Sequence, residues 1–241
     1  MKHLNAIIFG VAIVIAAYFL GNAYVKRSNP TQLIAITGLG NENFTSDLIV
    51  WEGRFVAFNS DLKTAFEQVN SDKEIVRAYL ESKGISPENI IFNSVQTLEQ
   101  RDNRYDNGNF VGSVFRGYEL SQTVQIESND VSLVENVSRE ITELLNKGVQ
   151  LYSSPPRYYY TKLSDLKIKM ISKATEDARI RAEKIAENSG GTLGDLISAR
   201  MGVFQITGQN SDEDYSWGGA YNTSSKKKTA SITMRLEYKV K

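Results

Sequence analysis

Between Lys173 and Leu196 the chain reads K-A-T-E-D-A-R-I-R-A-E-K-I-A-E-N-S-G-G-T-L-G-D-L, with alanine returning at 174, 178, 182 and 186. At about 100° of rotation per residue, a four-residue step drifts slowly round a helix and leaves one stripe without bulk. A helix built this way can lie closer to a sheet or a second helix than leucine would allow. The spacing predicts a helix over about Ser164 to Ser189. Gly190, Gly191 and Gly194 follow it, at the negative end of the helix, so they read as a stop signal. A phosphate cradle needs its glycines ahead of the helix, where amide N–H groups face the anion. The interleaved charges, Asp177 before Arg181 and Glu176 before Arg179, describe a solvated face.

The other constraining segment runs from Leu4 to Val25. It contains no charge and lies between Lys2 and Lys26-Arg27. About 20 apolar residues at about 1.5 Å each cross a bilayer core of about 30 Å. Two readings stand. Gly21-Asn22-Ala23 fits a signal-peptidase site, which would release the chain into the periplasm, whereas the length of the run and Tyr18 and Tyr24 suit an uncleaved anchor with interfacial aromatics. The expectation is a transmembrane signal-anchor over 1–25, a short stalk over 26–32 and one domain over 33–241, with the bulk of the chain extracytoplasmic. Charge does not settle the orientation, because both flanks are basic.

Reactive side chains are scarce. There is no cysteine, and the single histidine is His3, so thiolate, imidazole and Cys/His metal chemistry are excluded from the domain. Lys plus Arg equals Asp plus Glu at 28 each, which provides no global field for nucleic acid. The expectation is a protein that is not an enzyme, with no cofactor and no metal.

Elsewhere the pattern alternates between strand and helix. Leu33 to Leu39 reads as a strand, Gly40 to Asn43 as a turn, and Asp47 to Asn59 as a second strand, the two expected to form a hairpin. A helix is expected over about Asp61 to Lys83, capped by Asn59 or Ser60, with Leu62, Ala65, Phe66, Val69, Val76, Tyr79 and Leu80 on one face and Gly84 as its stop. Strands follow at Ile90 to Leu98 and Tyr118 to Ser128, the latter alternating Tyr118, Leu120, Val124 and Ile126 inward with Glu119, Ser121, Thr123, Gln125 and Glu127 outward. The next helix is expected over Val131 to Lys147, burying Leu133, Val137, Ile141, Leu144 and Leu145. Pro155-Pro156 breaks an extended piece, and strands near Ile197 to Thr207 and Ala230 to Val240 finish the chain. The sum is an α+β fold: antiparallel sheets with about three helices packed on them, preceded by one N-terminal transmembrane helix.

Arg101 to Ser113 and Gly208 to Lys228 read as long polar loops, the kind that carry function or stay mobile. Candidate interaction residues cluster near the second: Tyr158, Tyr159 and Tyr160, Tyr215, Trp217, and the basic run Lys226, Lys227 and Lys228. The tyrosines and Trp217 suit a carbohydrate or peptide platform, or else strand packing. The lysines suit anionic lipid, or guarding a strand end. Asp212-Glu213-Asp214 lacks the spacing of a calcium loop.

Several of these pieces together resemble the SIMPL-domain family, bacterial relatives of a kinase-interacting signalling protein. The resemblance rests on Ala174, Asp177-Ala178-Arg179, Ala182-Glu183, Ala186, Gly191 and Leu193-Gly194. It rests also on Ile36 to Gly40 (I-T-G-L-G), Asp47, the Leu80…Lys83-Gly84-Ile85 turn with Asn89-Ile90, and Gly117-Tyr118. It covers Ile34 to the C-terminus. Ser46 stands where the family commonly has proline. The resemblance implies an exported or envelope-associated protein, in some members tied to oxidative-stress tolerance or surface antigenicity and in at least one to a ring-shaped homo-oligomer. It carries over no catalytic residue. The function expected is therefore self-assembly in envelope maintenance or stress tolerance, with an adaptor that binds a protein partner through a strand edge or the 208–228 loop as the alternative. An enzyme built on carboxylates and tyrosines ranks behind both.

Overall fold

The computed structural model describes residues 2–28 and 32–241, with the side chains of 9–25 and 32–241. Helix α1 (Lys2–Ser28) is followed by β1 (Leu33–Thr45), β2 (Leu48–Asn59), α2 (Leu62–Ser82), β3 (Ile90–Phe92), β4 (Gln96–Asp106), β5 (Asn109–Ser128) and α3 (Val131–Glu140). Then come β6 (Gln150–Ser153), β7 (Arg157–Tyr159), α4 (Leu163–Asn188), β8 (Leu193–Met201), β9 (Gln205–Gly208) and β10 (Lys227–Val240). β10 pairs antiparallel with β8 and β9, β2 with β5, β6 and β7, and β5 with β3 and β4, in agreement with the expected α+β class. The chain divides into two compact units, one formed by the chain up to Gly40 with 171–202 and 232–241, the other by 41–170 with 203–231.

In the first unit the described side chains of α1, Phe9 to Val25, are all exposed. Among the described residues no helix is long and apolar enough to cross a membrane. Of the expected stalk over 26–32, residues 29–31 lie outside the described residues, and 26–28 continue α1.

The sheet of this unit runs β1-β10-β8. On β10, Ile232, Met234, Leu236 and Tyr238 are buried in strict alternation. The alanine stripe of α4 is buried completely at all four positions, and β1 lies against it with almost no gap. A Cβ at Gly38 would stand 2.1 Å from the Ala174 carbonyl oxygen and 2.7 Å from the Ala178 Cβ. The Asp177 carboxylate accepts the Leu39 N–H at 2.9 Å, a second tie across the same seam. At the end of α4, Gly190 adopts φ +79°, its N–H donating to Glu187 O at 3.1 Å while Gly191 N–H donates to Ala186 O at 3.0 Å. This is the Schellman stop that the glycine pair predicts.

The expected hairpin between the first two strands does not form. β1 pairs with β10 and β2 with β5, in different sheets. Gly40 to Asn43 makes no turn either, because β1 runs extended through it, with Asn43 accepting a 2.8 Å hydrogen bond from Thr229 Oγ1. Turn-forming residues yield to a strand when a long partner offers a full ladder.

The second unit holds a sheet ordered β3-β5-β2-β6, with β4 on β5 and β7 on β2. Its core is built from Ile49, Trp51 and Phe55 of β2 and Leu120, Val124 and Ile126 of β5, under Ala65, Val69, Val76 and Leu80 of α2 and Val134 and Val137 of α3. Trp51 Nε1 donates to Ser153 Oγ at 3.0 Å, so the buried indole keeps its polar atom satisfied. Asp61, one residue beyond the expected caps, caps α2 by accepting Thr64 N–H at 2.9 Å. Leu62 and Phe66, expected inward, are exposed, and Asp72 takes a buried place instead. The helix expected over 131–147 narrows after Glu140 into a 3₁₀ turn, Ile141–Lys147, closed by Gly148 at φ +82°. That change of pitch leaves Leu145 outside, while in the regular part of α3 it is Val134 that is fully buried and Leu133 only partly. On β5, Ser121 is buried although its alternation predicts a wet position.

Arg101 to Ser113 is not a loop. It is the far part of a ribbon in which β4 and β5 pair from Gln96↔Ser121 to Asp106↔Asn109. Asn107 at φ +47° and Gly108 at φ +83° make the two-residue turn, the Asn-Gly pairing that matches strand twist.

Candidate functional site

Lys228, the second residue of β10, points inward, with 1% of its surface exposed. Its ammonium donates to the carbonyl oxygens of Tyr158 and Asn222, each at 2.6 Å, and lies 5.7 Å from the centre of the Tyr221 ring. Burial disfavours the charge and pushes its pKa down from 10.5 to about 8, against a smaller opposite pull from the Glu213 carboxylate. A basic run thus has one member enclosed in protein, where it cannot meet anionic lipid. Lys226, two residues earlier, is half-buried and ion-pairs with Glu135 at 3.0 Å. Lys227 alone is exposed, its carbonyl accepting Gln209 N–H at 3.0 Å.

The three tyrosines separate as they pass along β7. Tyr158 is buried, its hydroxyl donating to Glu135 Oε1 at 3.1 Å. Burial, then the neighbouring Glu135 charge, raises its pKa. Tyr159 pairs with Leu48 in the sheet. Tyr160 packs on Phe44 with ring centres 4.8 Å apart. They form packing and ties, without a flat platform. Glu135 joins two candidates, Tyr158 and Lys226. Burial raises its carboxyl, but hydrogen bonds from Lys226 and Tyr158 outweigh that and the net pKa is lowered.

The expected 208–228 loop is stitched from within. Glu213 accepts Gly208 N–H at 2.8 Å and an Asn222 Nδ2 hydrogen bond, which together lower its pKa, the Gly208 contact foremost. Gln205 Oε1 accepts Ala220 N–H at 2.6 Å, and its Nε2 donates to Ser216 O at 2.8 Å. What the loop leaves outside is its tip: Tyr215 is exposed and Trp217 is 100% exposed. The structure therefore brings together Tyr158, Lys226 and Lys228 and keeps Tyr215 and Trp217 apart from them.

Asp47 is a further tie of this unit. Its carboxylate accepts Thr161 N–H at 2.7 Å and Thr161 Oγ1–H at 2.8 Å, while its N–H donates to Tyr159 O at 3.0 Å. Glu135 and Gln205 escape sequence reasoning because their partners come from elsewhere in the chain, 91 residues away for Glu135 with Lys226 and 15 for Gln205 with Ala220. Chemically, this cluster can hold a strand and a loop in register. A shallow cleft of about 300 Å³ opens beside Glu213, Tyr221 and Asn222. Another, of about 520 Å³, lies on the outer sheet face, where Arg54 and Arg116 are ion-paired to Glu119 and Asp102 at 3.2 and 3.0 Å. Among the described residues no group of three or more His, Cys, Asp or Glu is placed to hold a metal ion.

The features that organise both units, Gly38 on the alanine stripe and Asp47 at the head of β2, are those that carried the family resemblance. A family model confirms it: SIMPL, described as protein of unknown function (DUF541), matches residues 34–238. The chain belongs to the SIMPL family. No curated protein matches it. In this SIMPL domain the motif residues hold backbone in place. Gly38 admits the helix, Asp177 ties it to β1, and Asp47 fixes the approach to α4 at Thr161.

Proposed function

We propose that this SIMPL protein is a membrane-tethered, extracytoplasmic and non-catalytic domain that works by associating with further copies of itself, in cell-envelope maintenance or in tolerance of stress, oxidative stress included. The observation that carries this reading is apolar surface with no cover of its own. Along the described part of α1, Phe9, Ile13, Tyr18, Phe19, Leu20 and Tyr24 are all at least half exposed. The charge-free run from Leu4 to Val25 is longer than the stretch whose side chains are described, and the helix of 27 residues is about 40 Å long at 1.5 Å per residue. Apolar surface of that extent is stable in a bilayer or against another chain. The reading as non-catalytic is supported by the site: its most unusual group, Lys228, is buried and directs two of its three N–H donors to backbone carbonyls.

Fractionation tests the tether. The full chain is expected to remain in the membrane pellet through an alkaline carbonate wash, and recovery in the supernatant would sink that part. Mass measurement of the detergent-solubilised full chain tests self-association, with more than one copy per particle expected. A deletion strain with the parent's tolerance of peroxide and envelope stress would remove the physiological role. A second reading, an adaptor for another protein, is favoured by Trp217 and Tyr215 alone, held open on a stitched loop. There, Trp217→Ser abolishes partner binding and leaves self-association intact.

A further inference from the structure

Resting on the self-association reading, we propose that the β4–β5 ribbon is the surface through which one copy of this chain engages a second copy. Pairing between β2 and β5 ends at Asn59↔Tyr118, and beyond it β5 has only β4 for a neighbour. Among the described residues the outer edge of β4, over Gln96–Asp106, and the opposite edge of β5, over 109–117, are therefore unpaired. A two-stranded ribbon without a core is marginal by itself, and a free edge is a template for a further strand.

The ribbon's side chains add to that. Leu98, Tyr105, Phe110 and Val111 are more than half exposed, and Val114 and Phe115 are exposed as well. Tyr105 and Phe110 are in edge contact at 5.9 Å near the turn, and Phe115 and Tyr118 at 5.1 Å nearer the sheet, so the ribbon's aromatic groups meet in pairs. Contiguous uncovered apolar surface marks an interaction site.

Charge decides the occupant. The ribbon bears Arg101, Arg104 and Arg116 against Glu99, Asp102 and Asp106, interleaved along the strands. Such a balanced surface does not draw anionic lipid, which needs a basic excess, or a polyanion. It does offer an identical ribbon charges of both signs, two pairs of which, Arg101 with Glu99 and Arg116 with Asp102, are already formed within the chain, and edge pairing of like segments supplies matching donors and acceptors in the same step.

The chain contains no cysteine, which makes the test direct. Full-length protein in detergent is compared with the Phe110→Ser/Val111→Lys double variant by mass measurement, and an otherwise unchanged Asn103→Cys chain is oxidised beside a Lys63→Cys control on α2. The result expected is an assembled parent, a double variant reduced to single copies with unaltered circular dichroism, and disulfide-linked dimer from Asn103→Cys only. If the double variant misfolds, the cross-link decides. An assembled parent whose double variant also assembles, or whose Asn103→Cys yields no dimer, overturns the ribbon as the interface while self-association stands. A parent that is a single copy throughout overturns the self-association reading itself.

Discussion

The seam between α4 and β1 and the ribbon of β4 and β5 treat water in opposite ways. At the seam, side chains shrink to alanine and glycine so that two backbones meet, and Ala174, Ala178, Ala182 and Ala186 lose all exposure. On the ribbon, large apolar groups stand in the open on strands that, beyond Tyr118, are joined only to each other. The seam is finished within one chain, since its few atoms already touch. The ribbon has surface left over, and within a single copy it is held by the turn, the ladder and a few exposed contacts such as Tyr105 on Phe110 and Arg116 with Asp102.

The strongest way to break this contrast is to add bulk at the seam. Gly38→Val places branched carbon where the Ala174 carbonyl stands 2.1 Å from even a Cβ, and a loss of at least about 3 kcal/mol in urea unfolding is expected. If Gly38→Val unfolds like the parent, the closeness of α4 and β1 is not what holds that unit.

Lys228 lies between the two extremes, being enclosed yet charged, and pH separates its contribution. Its folded pKa is about 8 against 10.5 when free, so between those values the unfolded chain holds a proton that the folded chain has released. Stability then rises with pH. The expected gain from pH 8 to 9.5 is about 1.5 kcal/mol, absent in Lys228→Met. Above pH 10 the raised pKa values of Tyr79, Tyr158 and Tyr221 act in the other direction. A parent and Lys228→Met with the same slope between pH 8 and 9.5 would count against the enclosed amine.

On the ribbon, Gly108→Ala forces a side chain into φ +83° and is expected to cost about 1 kcal/mol. Thermal unfolding reads the loss, and hydrogen exchange should show it confined to β4 and the far half of β5. The smallest effect belongs to the solvated side of α4. Arg181→Ala breaks a 3.0 Å pair with Asp177, worth a few tenths of a kcal/mol by double-mutant cycle. A larger value would mean that the outer face of α4 matters to the seam.

The same contrast explains what could be read from the residues alone. The alanine stripe of α4 is legible because burial on one side imposes a period on the chain, and the Gly190-Gly191 stop because a left-handed helix end calls for glycine. The ribbon reads as a loop in the sequence because both its faces are wet, so no alternation marks it. Asn107-Gly108 was the available signal, flanked by polar residues instead of the usual hydrophobic ones. The β1–β2 hairpin failed for another reason. Two adjacent strands were joined by proximity in sequence, whereas the true partner of β1 is at the far end of the chain. The candidate site was legible as a neighbourhood and misread in character. Nothing local distinguishes Lys228 from Lys227, and only the fold brings Tyr158 O and Asn222 O to its amine.

The two tryptophans have an optical consequence. Trp51 is fully enclosed and Trp217 is fully open, and there are no others. The emission of the intact chain is the sum of a blue-shifted, quencher-shielded indole and a red-shifted, quencher-accessible one. Trp217→Phe leaves a clean reporter of the second unit's core, and Trp51→Phe one of the loop tip, so unfolding and docking at the tip can be followed separately in the same sample.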